Sequence, residues 1–181
     1  LVQESVDCAL RVGTLADSGL VARKLGEMAL VNCASPAYLA RHGTPQTPDD
    51  LPGHQVVSYS APSSGRAAPW EWQQGAQLRS LVLPSTVAVN NVESYIACGL
   101  AGLGLIQVPE YDVRAHLQCG ELVAVLPAYS AAPMPVHMLY PHRTHVPRRV
   151  RVFIEWLERL LVQTGTLTPP TARPPRGRGG R

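Results

Sequence analysis

Met28-Ala29-Leu30-Val31-Asn32-Cys33-Ala34-Ser35-Pro36-Ala37-Tyr38-Leu39-Ala40-Arg41-His42-Gly43 carries the most explicit local signals in the chain. Its first seven residues are an apolar run of strand length. Ser35 is a helix-capping residue type, Pro36 suits the first helical turn, and Gly43 suits a left-handed C-terminal cap. The stretch therefore reads as a strand running directly into a short helix. Thr47-Pro48-Asp49-Asp50-Leu51 repeats the cap-then-proline signal for a single turn ending at Gly53.

Downstream the alternation continues. Residues 55–59 are strand-like, and 61–69 are a polar, Gly/Pro-rich loop. Trp70-Glu71-Trp72 opens a two-stranded excursion that turns near Gly75 and returns through 78–83 and 86–89. Asn90-Asn91-Val92-Glu93 begins a helix, with Asn90 as the expected cap and Glu93 completing a capping box; it stops at Gly102. A strand over 103–108, a helix from Pro109 to near Gly120, and strands over 121–126 and 136–140 follow. In the last helix Val150, Phe153, Ile154, Leu157, Leu160 and Leu161 form one apolar stripe. Upstream, Val6-Asp7-Cys8-Ala9-Leu10-Arg11-Val12-Gly13 is consistent with a buried parallel strand, and 20–26 with a short extended piece. Strands alternating with helices predict an α/β fold with mostly parallel sheets.

The chain has 181 residues, enough for one domain or two small lobes. With 45% apolar and 16% charged residues it can bury a core, and 15 glycines with 17 prolines predict short elements joined by turns. The net charge of +3 is a property of the end: residues 165–181 hold Arg173, Arg176, Arg178 and Arg181 and no acid. The remainder is close to neutral and shows no nucleic-acid face. The longest apolar stretch, Tyr95 to Ile106, is too short to span a membrane, and no secretion signal is visible. The first residue is Leu, and the chain is expected to be a fragment or truncated copy of something longer. Cys8, Cys33, Cys98 and Cys119 have no metal-type spacing and read as reduced, buried structural thiols in a cytoplasmic protein, the alternative being a redox pair. His142 and His145 read as a surface turn. No nucleophile elbow, phosphate loop or buried carboxylate pair points to an enzyme, and neither a cofactor nor a metal is expected.

The ordered set 6–13, Cys33-Ala34-Ser35-Pro36-Ala37-Tyr38-Leu39, Thr47-Pro48-Asp49-Asp50-Leu51, Val89-Asn90-Asn91, Ala101-Gly102-Leu103-Gly104-Leu105 with Val108-Pro109, Gly120-Glu121-Leu122, and Leu139-Tyr140-Pro141 with Arg149-Val150-Arg151-Val152-Phe153 resembles the effector-binding domain of LysR-type transcriptional regulators. The resemblance covers about residues 1–162. It implies a periplasmic-binding-protein-like (type 2) α/β fold: two Rossmann-like lobes, two crossovers, and a small molecule in the cleft between them. Lobe I would come from 1–34 plus 142–165 and lobe II from 35–141, leaving 166–181 as a disordered basic tail. Lobe I would be incomplete, because the family's winged helix-turn-helix, linker helix and first strands and helices of that lobe have no counterpart here.

Ligands of open α/β sheets sit beyond the carboxyl ends of strands, near helix N-termini. Arg11, at a strand end, could hold a carboxylate through two parallel hydrogen bonds, or simply pair with Asp7 or another acid. Ser35 could favour an anion, or act only as a cap. Asn90 and Asn91 could donate amides, Asn90 being a cap in either case, and Tyr59, Ser60 and Gln107 are further lining candidates. The expected function is sensing of a small, anionic metabolite in the cytoplasm. The parent regulator would dimerise or tetramerise through this domain, touch DNA only through the missing N-terminal domain, and have no membrane partner. The alternative is a stand-alone ligand-binding or dimerisation module from a truncated regulator. A transport solute-binding protein, and weak nucleic-acid binding by the arginine tail, are further readings.

Overall fold

The computed structural model describes residues 6–15, 19–60, 67–141 and 146–169. The chain divides into two compact units, Leu1–Met28 with Met134–Arg181, and Ala29–Pro133. The division falls six residues before the first expected boundary and eight before the second. Strands β2 (Val21–Met28) and β3 (Leu30–Ala34) are separated by Ala29 alone. Yet β2 pairs along its length with the late strand Met134–Tyr140, whereas β3 pairs elsewhere. Strand-like sequence on both sides of Ala29 does not show which sheet each strand joins.

In the first unit the sheet order is β1 (Ala9–Val12), β10 (Met134–Tyr140), β2, all antiparallel. Helix α4 (Arg148–Gln163) covers one face, where Leu25, Met28, Val136, Met138, Val150, Ile154 and Leu167 form the core. The expected buried parallel strand is thus an antiparallel edge strand, with Leu10 44% and Val12 43% exposed. The α4 stripe is also narrower than expected. Val150 and Ile154 are buried and Leu157 and Leu161 pack beside them, while Phe153 and Leu160 face out. Order continues past Gly165: Leu167 is 5% exposed, and Thr168 exchanges backbone hydrogen bonds with Glu27 at 2.9 and 3.0 Å. Residues 170–181, the rest of the expected tail, and the His142–His145 turn lie outside the described residues.

In the second unit β3 lies between β8 (Ile106–Pro109) and β9 (Val123–Ala124), antiparallel to both. The bridge Val56–Leu105 joins this sheet to the parallel pair β4 (Ser58–Tyr59) and β7 (Ala88–Val89). Hairpin β5 (Trp70–Gln74) and β6 (Gln77–Leu81) turns at Gly75, whose φ of 62° suits glycine. Helices α1 (Pro36–His42), α2 (Val92–Leu100) and α3 (Glu110–Gln118) complete the unit. Most described strand pairs in the chain are antiparallel. The expectation of mostly parallel sheets fails because the polypeptide changes sheet between consecutive strands, which separates order in sequence from direction in space.

Candidate functional site

The parallel pair brings part of the expected site together. Tyr59 lies beside Val89, and the Ser60 N–H donates to the Val89 carbonyl at 2.8 Å. Tyr59, Ser60, Asn90 and Asn91 therefore gather at the carboxyl ends of β4 and β7, where α2 begins. Asn91, not Asn90, is the cap: its Oδ1 accepts from the Ser94 N–H at 2.8 Å. The expected Asn90–Glu93 box gives way to a single cap at Asn91 because extended backbone persists through Asn91, at φ −137° and ψ 154°. That leaves the exposed Asn90 side chain outside the cap. Tyr59 packs edge-on against Tyr95, ring centres 5.4 Å apart, and burial pushes the Tyr95 phenol up to about 12. Asp112, on α3, is raised chiefly by burial and further by the charge of Glu93 in the first turn of α2.

Gln107 is committed to structure. Its Nε2 donates to Asn32 Oδ1 at 2.7 Å and to the Glu71 carbonyl at 2.8 Å, and its Oε1 accepts from the Glu71 N–H at 3.4 Å. The side-chain amide pairs with Glu71 as a neighbouring strand would, and so fastens the hairpin to β8. Asn32, 1% exposed, donates onward to the Tyr129 carbonyl at 3.0 Å. The Gln107 backbone N–H donates to Tyr95 Oη at 3.1 Å.

Ser35 sits at the other end of the sheet, since β3 runs antiparallel to β8. It is 3% exposed and its Oγ accepts from the Tyr38 N–H at 3.3 Å. Gly102, at φ 74°, lies over it. A Cβ there would come within 3.1 Å of Ser35 Oγ and 3.0 Å of Arg41 Nη2, which already donates to the Gly102 carbonyl at 2.7 Å. Ser35 acts here as a covered cap, apart from Asn90 and Asn91.

Arg11 lies in the other unit and is exposed. Its suggested partner Asp7 is held by Arg149 through a two-pronged contact at 3.0 and 2.9 Å. The antiparallel register instead places His137 beside Arg11 and Lys24 on the far side of His137. Nothing in the sequence marks His137, because its neighbour is decided by a pairing across more than a hundred residues. Burial lifts the Cys33 thiol to about 12, whereas Cys119 is exposed at the end of α3 and not the buried thiol expected. Among the described residues no three His, Cys, Asp or Glu side chains form a metal cluster, and no helix is long and apolar enough to cross a membrane.

Residues 1–161 match the LysR substrate binding domain family. The chain is 40% identical over 157 residues to the uncharacterized HTH-type transcriptional regulator YhjC of Escherichia coli K12, covering 87% of this chain and 52% of that protein. It is 34% identical over 170 residues to the HTH-type transcriptional activator AaeR of the same organism, covering 92% and 53%. It thus spans about half the length of these relatives. The regulatory domain of CrgA, a LysR-type transcriptional regulator from Neisseria meningitidis, superposes with a TM-score of 0.74 at 32% identity, covering 89% of this chain and 78% of that one. Full-length AphB, the virulence activator of Vibrio cholerae, gives 0.70 at 31% identity, covering 83% and 51%. The chain belongs to the LysR family of transcriptional regulators, whose substrate-binding domain, a periplasmic-binding-protein-like α/β fold, it supplies.

Proposed function

We propose that this chain is the effector-sensing part of a cytoplasmic transcriptional regulator and responds to a small, anionic metabolite. The observation that carries this reading is the match of residues 1–161 to a substrate-binding domain shared by regulators. Its anionic character is supported by Arg11, an exposed guanidinium for which no ion pair is found among the described residues. In the complete regulator, DNA is contacted by a part outside these 181 residues, and the ligand acts by favouring one of two pre-existing arrangements. The test is a thermal melt of the full-length parent against a panel of carboxylates, repeated with Arg11→Ala. A rise in Tm that the variant loses is expected; no rise with any member of a broad panel rejects the reading.

A second reading, a stand-alone assembly module, is favoured by one observation. Val152, Phe153, Trp156 and Leu160 lie 37–53% exposed on α4. Size-exclusion chromatography with a full-length homologue should then give a mixed species; its absence rejects this alternative.

A further inference from the structure

We propose that the Tyr38 hydroxyl and the His54 imidazole form a proton-operated fork in the second unit. With His54 neutral, the hydroxyl donates to His54 Nδ1. With His54 protonated, Nδ1–H donates to the hydroxyl, which turns its own proton to the Gln55 carbonyl. The acidity of the medium is thereby a second input to this unit, separate from any effector and independent of the effector-sensing reading.

Tyr38, on α1, is 1% exposed, and His54, directly after the turn Pro48–Gly53, is 5% exposed. Three polar atoms surround Tyr38 Oη: His54 Nδ1 at 3.2 Å, the Gln55 carbonyl oxygen at 3.2 Å and the Gln55 nitrogen at 2.9 Å. The Gln55 N–H can only donate, so it fills one lone pair of Oη. A phenol has a single proton, and two acceptors at equal distance compete for it. The Gln55 carbonyl already accepts from the Leu105 N–H at 2.9 Å, whereas no other donor reaches His54 Nδ1 among the described residues. A buried acceptor left without a donor is costly, so the neutral imidazole takes the Tyr38 proton. Once Nδ1 carries a proton of its own it accepts nothing, and the Gln55 carbonyl becomes the acceptor for the phenol.

The charged groups facing the pair come from two elements. On α1, His42 stacks on the Tyr38 ring with centres 4.5 Å apart, and Arg41 lies near the phenol. From the turn, Asp50 opposes the effect of burial and of His42 on His54. The outer nitrogen, His54 Nε2, has no partner and is not enclosed, so the ring keeps contact with solvent. Gln55 is also where this segment joins the sheet: its carbonyl accepts from the Leu105 N–H at 2.9 Å, and the Val57 N–H donates to the Leu105 carbonyl at 3.0 Å. Further along the same segment stand Tyr59 and Ser60, two of the site candidates. Protonation of His54 thus adds a second donor at the carbonyl that anchors the strand carrying them.

The test is NMR of the 181-residue chain, nitrogen-labelled in its histidine rings and backbone amides and acidified from about pH 8. At the start His54 should carry its proton on Nε2, with Nδ1 bare; the Nδ1–H tautomer there overturns the fork. On acidification the His54 ring nitrogens and the Leu105 amide, which shares the Gln55 carbonyl, should move with one common midpoint. A Leu105 amide that stays still while His54 titrates overturns it, as does a His54 that remains neutral until the chain unfolds. In Tyr38→Phe, His54 should still titrate but the Leu105 movement should be lost; its survival would show only the nearby charge at work and overturn the fork. In His42→Gln the Leu105 movement should remain and follow the His54 midpoint upward, since one repelling charge is gone. Its loss in that variant assigns the response to His42 and likewise overturns the fork. If circular dichroism shows Tyr38→Phe unfolded, the wild-type tautomer and the shared midpoint decide by themselves.

Discussion

Gln107→Leu separates a structural role from a ligand-contacting one. The substitution keeps the volume roughly constant and removes three hydrogen bonds, at 2.7, 2.8 and 3.4 Å. Neutral hydrogen bonds contribute about 0.5–1.5 kcal/mol each, and the longest of the three contributes least. The larger effect is what remains: Asn32 Oδ1, on a side chain 1% exposed, loses its Gln107 donor. A buried orphan of this kind costs about 1–3 kcal/mol. Allowing for overlap between these effects, Gln107→Leu should destabilise the second unit by roughly 2–4 kcal/mol. Urea unfolding followed by Trp fluorescence reads the cost. Amide hydrogen exchange at Glu71, whose N–H bonds to Gln107, should accelerate before exchange in β3 does. The companion variant Asn32→Leu and the double variant close a cycle. With both amides gone neither leaves the other unpaired, so the double should be less destabilised than the sum of the singles by about 1–2 kcal/mol. A cost for Gln107→Leu below about 0.5 kcal/mol, the range of ordinary surface changes, would refute the structural role and return Gln107 to the ligand candidates.

Three further outcomes are expected. Gly104→Ala places a methyl 2.8–2.9 Å from the backbone of Gln55, Val56 and Val57, none of which can yield without parting the 55–57 segment from Leu105; urea denaturation should show a loss of about 1–3 kcal/mol or more, and a neutral result contradicts the packing. Asn91→Ala should cost about 1 kcal/mol by removing the α2 cap, and Asn90→Ala close to nothing; equal costs in thermal melts would contradict the cap assignment. Burial, aided by the charge of His42 and opposed by Asp50, holds His54 below the ordinary histidine value. The folded state then binds its proton less readily than the unfolded state, so stability is complete above about pH 6.5 and declines as pH falls towards the lowered folded value. The decline of Tm across that window should shrink in His54→Gln; an unchanged profile would show that His54 does not titrate there.

Legibility depended on the range of the interactions involved. The Ser35 and Gly43 caps of α1, the Thr47 turn, the hairpin at Gly75 and the amphipathic last helix were all readable, because each is decided by residues within a few positions of one another. The ordered set of such signals was enough to indicate the LysR family. The α2 cap was missed by one position because Asn90 and Asn91 are the same residue type, and only backbone angles distinguish them. Among the site candidates, Tyr59, Ser60, Asn90 and Asn91 do converge at the carboxyl ends of β4 and β7. Ser35 and Gln107 are occupied by partners 3 to 75 residues away.

The amino-acid order alone determined which segments are strands and helices, and the family they announce, since hydrophobic period and capping chemistry act locally. Tertiary structure decided which sheet each strand joins, in which direction, and therefore which side chains become neighbours. Arg11 stands in register with His137 while Asp7 is held by Arg149, and the chain changes unit at Ala29, because those choices are settled by burying Met138 and Val136 under α4. That balance of packing between distant segments has no signature in any short stretch of the chain.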